Sequence, residues 1–286
     1  MVVRKLEDKD LINAKKLWKQ AFGDSDRYID YNFSANLDLK NSLAIFIDDR
    51  LACMLFMLPK KISIDDKKMD TFFIAGVATD LDFRYQGYAK SLMAHAHEVL
   101  KNSGFSFVFL YPFNHDFYRK LGYQTVSHIK NVTFNTKSEN AKTPDYDLTI
   151  YDASSNGVAS RLNGIYNAYI KKFDSYFVRN EDTFDALLKT MRVENGQVAI
   201  ITRNHIDVGY SIYYEIDGKA DCVESVFLNR KAVKAFVNAM TCDGFVYCDK
   251  DYDVKSSEIE EYAMVKLLGK EYACLTDHQI LILEQY

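Results

Sequence analysis

Apolar residues recur three and four apart from Asp10 to Phe22, at Leu11, Ala14, Leu17, Trp18 and Ala21, and this spacing predicts an amphipathic helix. A second, shorter helix is expected over Asp26 to Phe33. The period then changes. Leu43–Ile47, Leu51–Pro59, Ile62–Ile64 and Met69–Thr79 read as strands, with Asp48-Asp49 and Asp65-Asp66 as turns, so an antiparallel meander follows the two helices. Helical spacing returns at Ala89, Leu92, Met93, Ala96, Val99 and Leu100, and Asn102-Ser103-Gly104 ends that helix. Phe105–Tyr111 reads as a buried strand, a further helix follows it, and Thr125–Phe134 reads as the strand that closes the first half.

Thr136–Asp147, TKSENAKTPDYD, is polar and without periodicity, and marks the expected domain boundary. The second half begins with helices near Val158–Phe173 and Asp182–Val193. Strands at Gln197–Thr202, Val208–Glu215 and Ala220–Leu228, a helix at Arg230–Met240 and a strand at Gly244–Cys248 come after them. The element order of the first half is repeated. Two domains are therefore expected, 1–135 and 148–286, joined by a linker at 136–147, with the apolar stretch Gln279–Leu283 as the last strand of the second.

A chain of 286 residues, nearly half of them hydrophobic, can pack two cores. A formal charge of −4 gives no broad basic field, which argues against nucleic acid and favours a small cationic or amine partner. No apolar run approaches the roughly 20 residues that span a bilayer, and the N-terminus lacks a secretory core, so no membrane association and a cytoplasmic location are expected. Homo-oligomerisation stays open. The five cysteines, Cys53, Cys222, Cys242, Cys248 and Cys274, lack the paired spacing of a zinc site and read as buried thiols. His95 and His97 point to different faces of one helix, so no metal is expected there and both read as solvated. Tyr166, Tyr169, Tyr176, Tyr210, Tyr213 and Tyr214 suit core packing better than a cation-binding wall.

The chemistry concentrates at Ile74–Ala89, IAGVATDLDFRYQGYA, where an apolar run ends and Arg84-Tyr85-Gln86-Gly87-Tyr88-Ala89 opens a helix. The first N–H groups of a helix lack intrahelical partners and sit at its positive end, and Gly87 lets a phosphate approach without a Cβ in the way. This loop resembles the acetyl-CoA loop of GCN5-related N-acetyltransferases, the GNAT family. The resemblance covers roughly the first 135 residues and implies a mixed α/β (α+β) fold. It also implies two GNAT-like domains in tandem, each a mostly antiparallel mixed sheet flanked by helices. In the second domain Val226-Phe227-Leu228-Asn229-Arg230-Lys231 has no glycine, as in a degenerate copy without the cradle.

By that resemblance, backbone N–H groups from Gln86, Gly87, Tyr88, Ala89 and Lys90 hold the pyrophosphate of acetyl-CoA, with Arg84 and Tyr85 adding side-chain contacts. The strand at Val77, Ala78 and Thr79 pairs with pantetheine as an added strand, and one of its amides polarises the acetyl carbonyl. Pro112-Phe113-Asn114-His115-Asp116-Phe117-Tyr118-Arg119-Lys120-Leu121-Gly122-Tyr123 resembles the family's fourth-helix signature. Tyr118 aligns with the tyrosine that protonates the departing thiolate, and Asn114 and Phe117 with residues along the pantetheine arm.

No acidic residue lies on the strand from Thr71 to Thr79, where many GNAT enzymes place a general base. Tandem GNAT proteins of the Eis type, which this chain resembles without their sterol-carrier-like third domain, use a C-terminal carboxylate; here that implies Tyr286. Asp24, Asp26, Glu284 and His115 are the other candidates. The expected activity is acetyl-CoA-dependent transfer of an acetyl group, without a metal, to a primary amine of a small molecule or peptide. The alternative is a non-catalytic acyl-CoA sensor or interaction module. A Fem-like aminoacyl transferase is disfavoured, since a basic groove is missing and the CoA cradle is intact.

Overall fold

The computed structural model describes residues 1–134, 143–240, 242–247, 257–269, 271–272, 275–276 and 280–284. The chain runs through β1 (Val2–Arg4), α1 (Leu11–Phe22), α2 (Asp26–Ala35), β2 (Ser42–Ile47), β3 (Arg50–Ile64) and β4 (Lys67–Thr79). It continues with α3 (Tyr88–Asn102), β5 (Phe107–Leu110), α4 (His115–Arg119), β6 (Gln124–Thr125), β7 (His128–Phe134) and β8 (Tyr146–Asp152). Next come α5 (Val158–Tyr169), β9 (Ser175–Phe177), α6 (Glu181–Arg192), β10 (Gln197–Arg203), β11 (Ile206–Ile216) and β12 (Lys219–Phe227). Last are α7 (Arg230–Ala239), β13 (Cys242–Tyr247), β14 (Ser257–Glu261) and β15 (Met264–Leu267).

Contacts divide the chain into two compact units. The first holds 1–126 and the described part of 263–279; the second holds 127–262 and the described part of 280–285.

In the first unit the strand order is β1-β2-β3-β4-β5-β15-β6, antiparallel throughout except where β4 and β5 run parallel. Asp48-Asp49 and Asp65-Asp66 make the two tight hairpins, with left-handed backbone at both positions of each turn. That conformation gives a two-residue turn the twist of its flanking strands, and a short polar side chain tolerates it. β3 is one strand rather than the expected two: Pro59 pairs with Phe72 of β4 and lies beyond the last rung with β2 at Phe56. A missing N–H breaks no bond to β2 there. α3 lays Leu92, Met93, Ala96 and Leu100 against Ile45, Cys53, Leu55 and Ile74, all essentially without solvent exposure. Each large apolar side chain buried in this way contributes about 1.5–3 kcal/mol.

In the second unit the order is β14-β7-β13-β12-β11-β10-β8, again antiparallel except for one parallel pair, β12 and β13. Read from the other edge, this is the topology of the first sheet, with a helix, α3 or α7, crossing over between the parallel strands in each. Two helices, α1 and α2 or α5 and α6, also separate the corresponding edge strand from the next strand in both. The repeated element order expected from the sequence is thus repeated topology.

The strand expected over 125–134 is divided. β6 keeps Gln124 and Thr125 in the first sheet, whereas β7 lies between β13 and β14 in the second. The matching place in the first sheet, between β5 and β6, is taken by β15. The segment 136–147 lies largely outside the described residues, but Tyr146 and Asp147 already belong to β8. The stretch near the C-terminus is not a full strand: Leu281 makes a single parallel bridge to Tyr176, with Phe177 N–H donating to its carbonyl at 3.1 Å.

The second unit holds a buried ionic cluster. The Arg179 guanidinium donates to both oxygens of Glu224 at 2.9 Å and to Glu284 Oε1 at 3.2 Å, with all three side chains under 5% exposed. Tyr210 donates to Glu224 at 2.5 Å, and Arg179 stacks over Tyr166 and Phe184 at 5.2 and 5.5 Å. Tyr166 and Tyr210 are therefore core residues, as their strand and helix periodicity implied.

Candidate active site

The site begins at a defect in β4. Met54 pairs with Ala78 and Phe56 with Ala75, so Gly76 and Val77 together face one residue of β3 and form a bulge. Gly76 has φ +60°, and a Cβ there would lie 2.5 Å from Trp18 Cζ3 and 3.2 Å from Phe56. Glycine is required both by the left-handed backbone and by the indole beneath it. Trp18 is fixed in turn by donating to Asp24 Oδ2 at 2.7 Å and by edge contacts with Phe33 and Phe56. The bulge lies just past the end of the parallel ladder with β5. Rungs join Phe72, Phe73 and Ile74 to Val108, Phe109 and Leu110, and none is recorded beyond them, although β4 continues to Thr79. Val77, Ala78 and Thr79 thus lie past the last rung to β5, while Ala78 and Thr79 still pair with β3.

The chain leaves β4 through a turn at 81–83 that is capped by the Asp80 carboxylate, which accepts from Asp82 N–H at 3.1 Å. Arg84 Nε donates to Thr79 O at 3.2 Å, leaving an otherwise exposed guanidinium, and Gln86 Nε2 donates to Asp82 O at 3.1 Å. Arg50 braces the turn from the β2–β3 hairpin, bonding Asp82 at 2.6 Å and lying over Phe83, whose ring meets Tyr88 edge-on. Tyr85 and Gly87 are both left-handed, at φ +63° and +84°. Tight left-handed turns ahead of a helix direct successive N–H groups into an anion-binding concavity. No side chain caps α3, and a Cβ on Gly87 would meet nothing within 4 Å, so the space over Gly87 is clear and the helix start keeps its positive end. Tyr85 is fully exposed, Lys90 is exposed, and Tyr88 and Ala89 are half-buried.

The equivalent helix of the second unit is closed. Asn229 Oδ1 accepts from Ala232 N–H at 2.9 Å, capping α7 with its own chain, and also accepts from the Tyr146 hydroxyl at 3.1 Å.

From the end of β5 the chain enters α4, where Asn114 Oδ1 accepts from Phe117 N–H at 3.0 Å. The Asn114 side chain, expected along the pantetheine arm, is thus the helix cap. Phe117 is half-buried against the core. Tyr118 is buried, its ring edge-on to Phe117 and Tyr123. Burial, with a smaller contribution from Cys53, pushes its phenol up to about 12, so it carries its proton at neutral pH. Burial likewise raises the Cys53 thiol to about 11, and the thiol accepts from Thr79 Oγ1 at 3.3 Å.

His97 departs from the expectation of a solvated side chain. It is half-buried, its Nε2 shares a hydrogen bond of 2.9 Å with Tyr123 Oη, and burial with nearby Lys266 lowers its pKa to about 4. Lys266 Nζ donates to Leu121 O at 2.6 Å. His95 is exposed, as expected.

Among the proposed bases, Asp24 holds Trp18, Asp26 pairs with Lys19 at 2.7 Å, and Glu284 holds Arg179 in the second unit. His115, the first residue of α4, keeps a buried Nε2 without a hydrogen-bond partner among the described residues. Tyr286 lies outside the described residues. Among the described residues no group of three or more His, Cys, Asp or Glu side chains could hold a metal, and no helix is long and apolar enough to cross a membrane. Sequence reasoning missed Trp18 and Gly76 as parts of the site. A glycine inside a strand pattern is itself a bulge signal and could have found them.

Residues 2–126 match the family model described as an acetyltransferase (GNAT) domain. No curated protein matches the chain. Among solved structures, a conserved protein of Enterococcus faecalis described as a probable N-acyltransferase is similar over 93% of this chain and 72% of its own, with a TM-score of 0.75 and 18% identity. Eis1 from Mycobacterium abscessus is similar over 96% and 76%, with a TM-score of 0.65 and 12% identity. A tandem GNAT protein from the clavulanic acid biosynthesis pathway is similar over 94% and 99%, with a TM-score of 0.61 and 9% identity. At these identities the structural likeness is one of fold, and it runs through both halves. Residues 2–126 therefore match the GNAT acetyltransferase domain model, and the chain as a whole has the mixed α/β fold seen in tandem GNAT structures.

Proposed function

We propose that this protein is an acetyl-CoA-dependent N-acetyltransferase that moves an acetyl group to a primary amine of a small molecule or peptide by direct attack on the thioester. The observation that carries the reading is the bulge at Gly76 in β4, past the last rung to β5, beside a helix start that no described side chain caps. An extended pantetheine arm adds to that strand edge as a further strand would, and its pyrophosphate meets the amides of 86–90 and the Arg84 guanidinium. A strand amide near Val77 polarises the acyl carbonyl, where charge develops as the amine attacks. When the tetrahedral intermediate collapses, the C–S bond breaks and Tyr118 gives its proton to the thiolate. The phenol carries its proton at neutral pH, so one is there to give. The acceptor's identity rests on groups other than the cradle.

Titration calorimetry of acetyl-CoA into the wild type, Arg84→Ala and Gly87→Glu proteins, followed by a CoA-release assay over a pooled panel of primary amines, tests this. Tenfold or greater weakening in both variants, with amine-dependent CoA release by the wild type, is the expected result. Equal affinity in all three proteins overturns the cradle. Tight binding with no release on any amine turns the reading to an acyl-CoA sensor.

A further inference from the structure

Tyr118 returns a proton to the leaving thiolate, but a second group must accept one from the attacking amine. The sequence leaves several candidates for that role, and the structure separates the described ones. Asp24, Asp26 and Glu284 are each engaged by a donor, whereas the His115 ring, partly exposed as a residue, turns Nε2 inward to a buried position with no hydrogen-bond partner among the described residues. A buried polar atom without a partner in a folded protein asks for an explanation, and waiting for a substrate's N–H is one.

Position agrees with chemistry. β4 and β5 are parallel, so their C-terminal ends lie at the same end of the sheet. The cradle loop leaves from the end of β4. His115 follows the end of β5 by five residues and precedes Tyr118 by three, which places the two side chains on one face of α4.

We infer that His115 is the general base of the N-acetyltransferase reaction, and this rests on the reading above. As the amine nitrogen bonds to the acyl carbon, its N–H proton passes to His115 Nε2. The intermediate then expels the thiolate by breaking the C–S bond, and the thiolate takes the Tyr118 proton. The products are the N-acetyl amine and CoA thiol. His115 ends protonated and Tyr118 deprotonated, and one proton exchanged with solvent at each restores the enzyme.

The test uses the full chain with His115→Gln, His115→Ala and, for comparison, Tyr118→Phe. Steady-state kinetics with an amine the wild type accepts gives kcat and KM, calorimetry gives acetyl-CoA affinity, and exogenous imidazole is added to each variant. For both His115 variants the expected result is a fall in kcat of about 100-fold or more, with acetyl-CoA affinity within threefold of wild type. Imidazole should restore activity to His115→Ala and not to Tyr118→Phe. Retention of more than half the wild-type kcat by His115→Gln, or failure of imidazole to rescue His115→Ala, overturns the assignment. Loss of acetyl-CoA binding in both His115 variants makes the residue structural and overturns it too. A wild type that releases no CoA with any amine removes the N-acetyltransferase reading itself, an outcome distinct from these.

Discussion

At the scale of single residues, the first unit has taken a basic side chain out of water and kept it neutral. His97 has a folded pKa of about 4 against an ordinary 6.5, because burial and Lys266 oppose its charging. The sign follows from proton counting: between these two values the unfolded chain binds a proton that the folded protein refuses. Stability therefore falls as the pH drops through that window and is unaffected by His97 above it. His97→Gln, which can still reach Tyr123 Oη, should show a shallower loss of urea midpoint between pH 7 and pH 4.5 than the wild type. Equal slopes would mean that His97 is not responsible. The histidine pattern alone told only that His95 and His97 face different ways. Which of those ways was the interior depended on Tyr123 and Lys266, and Lys266 is far away in sequence.

At the scale of elements, β4 decides the site. Its rungs to β5 stop at Ile74, and the bulge held by Gly76 over Trp18 follows directly. Gly76→Ala meets both the left-handed backbone and the indole, so it should cost about 2–4 kcal/mol in urea unfolding and weaken acetyl-CoA binding. A variant with wild-type stability and affinity would show that the bulge forms without it. Much of this was legible in advance: the two leading helices, the meander and its aspartate turns, the helix after Gly87 and the α4 motif all follow from periodicity and turn chemistry within short windows. Pro59 misled by suggesting a strand break, because its tolerance depends on where β2 stops. Asn114 sat in the expected motif, yet its side chain caps α4, a local role that a motif match does not distinguish from ligand contact. β15 was missed because what defines it is pairing to β5 and β6 rather than any local pattern.

At the scale of the whole molecule, the two sheets trade strands. β7 comes early and lies in the second sheet; β15 comes late and lies in the first, between β5 and β6. Met264 and Leu268 join the core that holds Tyr118, so residues 1–126 alone lack a central strand and part of their interior. A fragment of 1–126 should give no cooperative thermal transition and no acetyl-CoA binding by calorimetry. A two-state melt with binding would show that β15 is dispensable. During synthesis, the same arrangement sets the timing of maturation. The emerging first half has the loop ahead of α3 long before Met264 leaves the ribosome, and loop closure over so many residues is slow. Until then Leu110 and its neighbours present an unpaired strand edge, the kind of surface that chaperones hold.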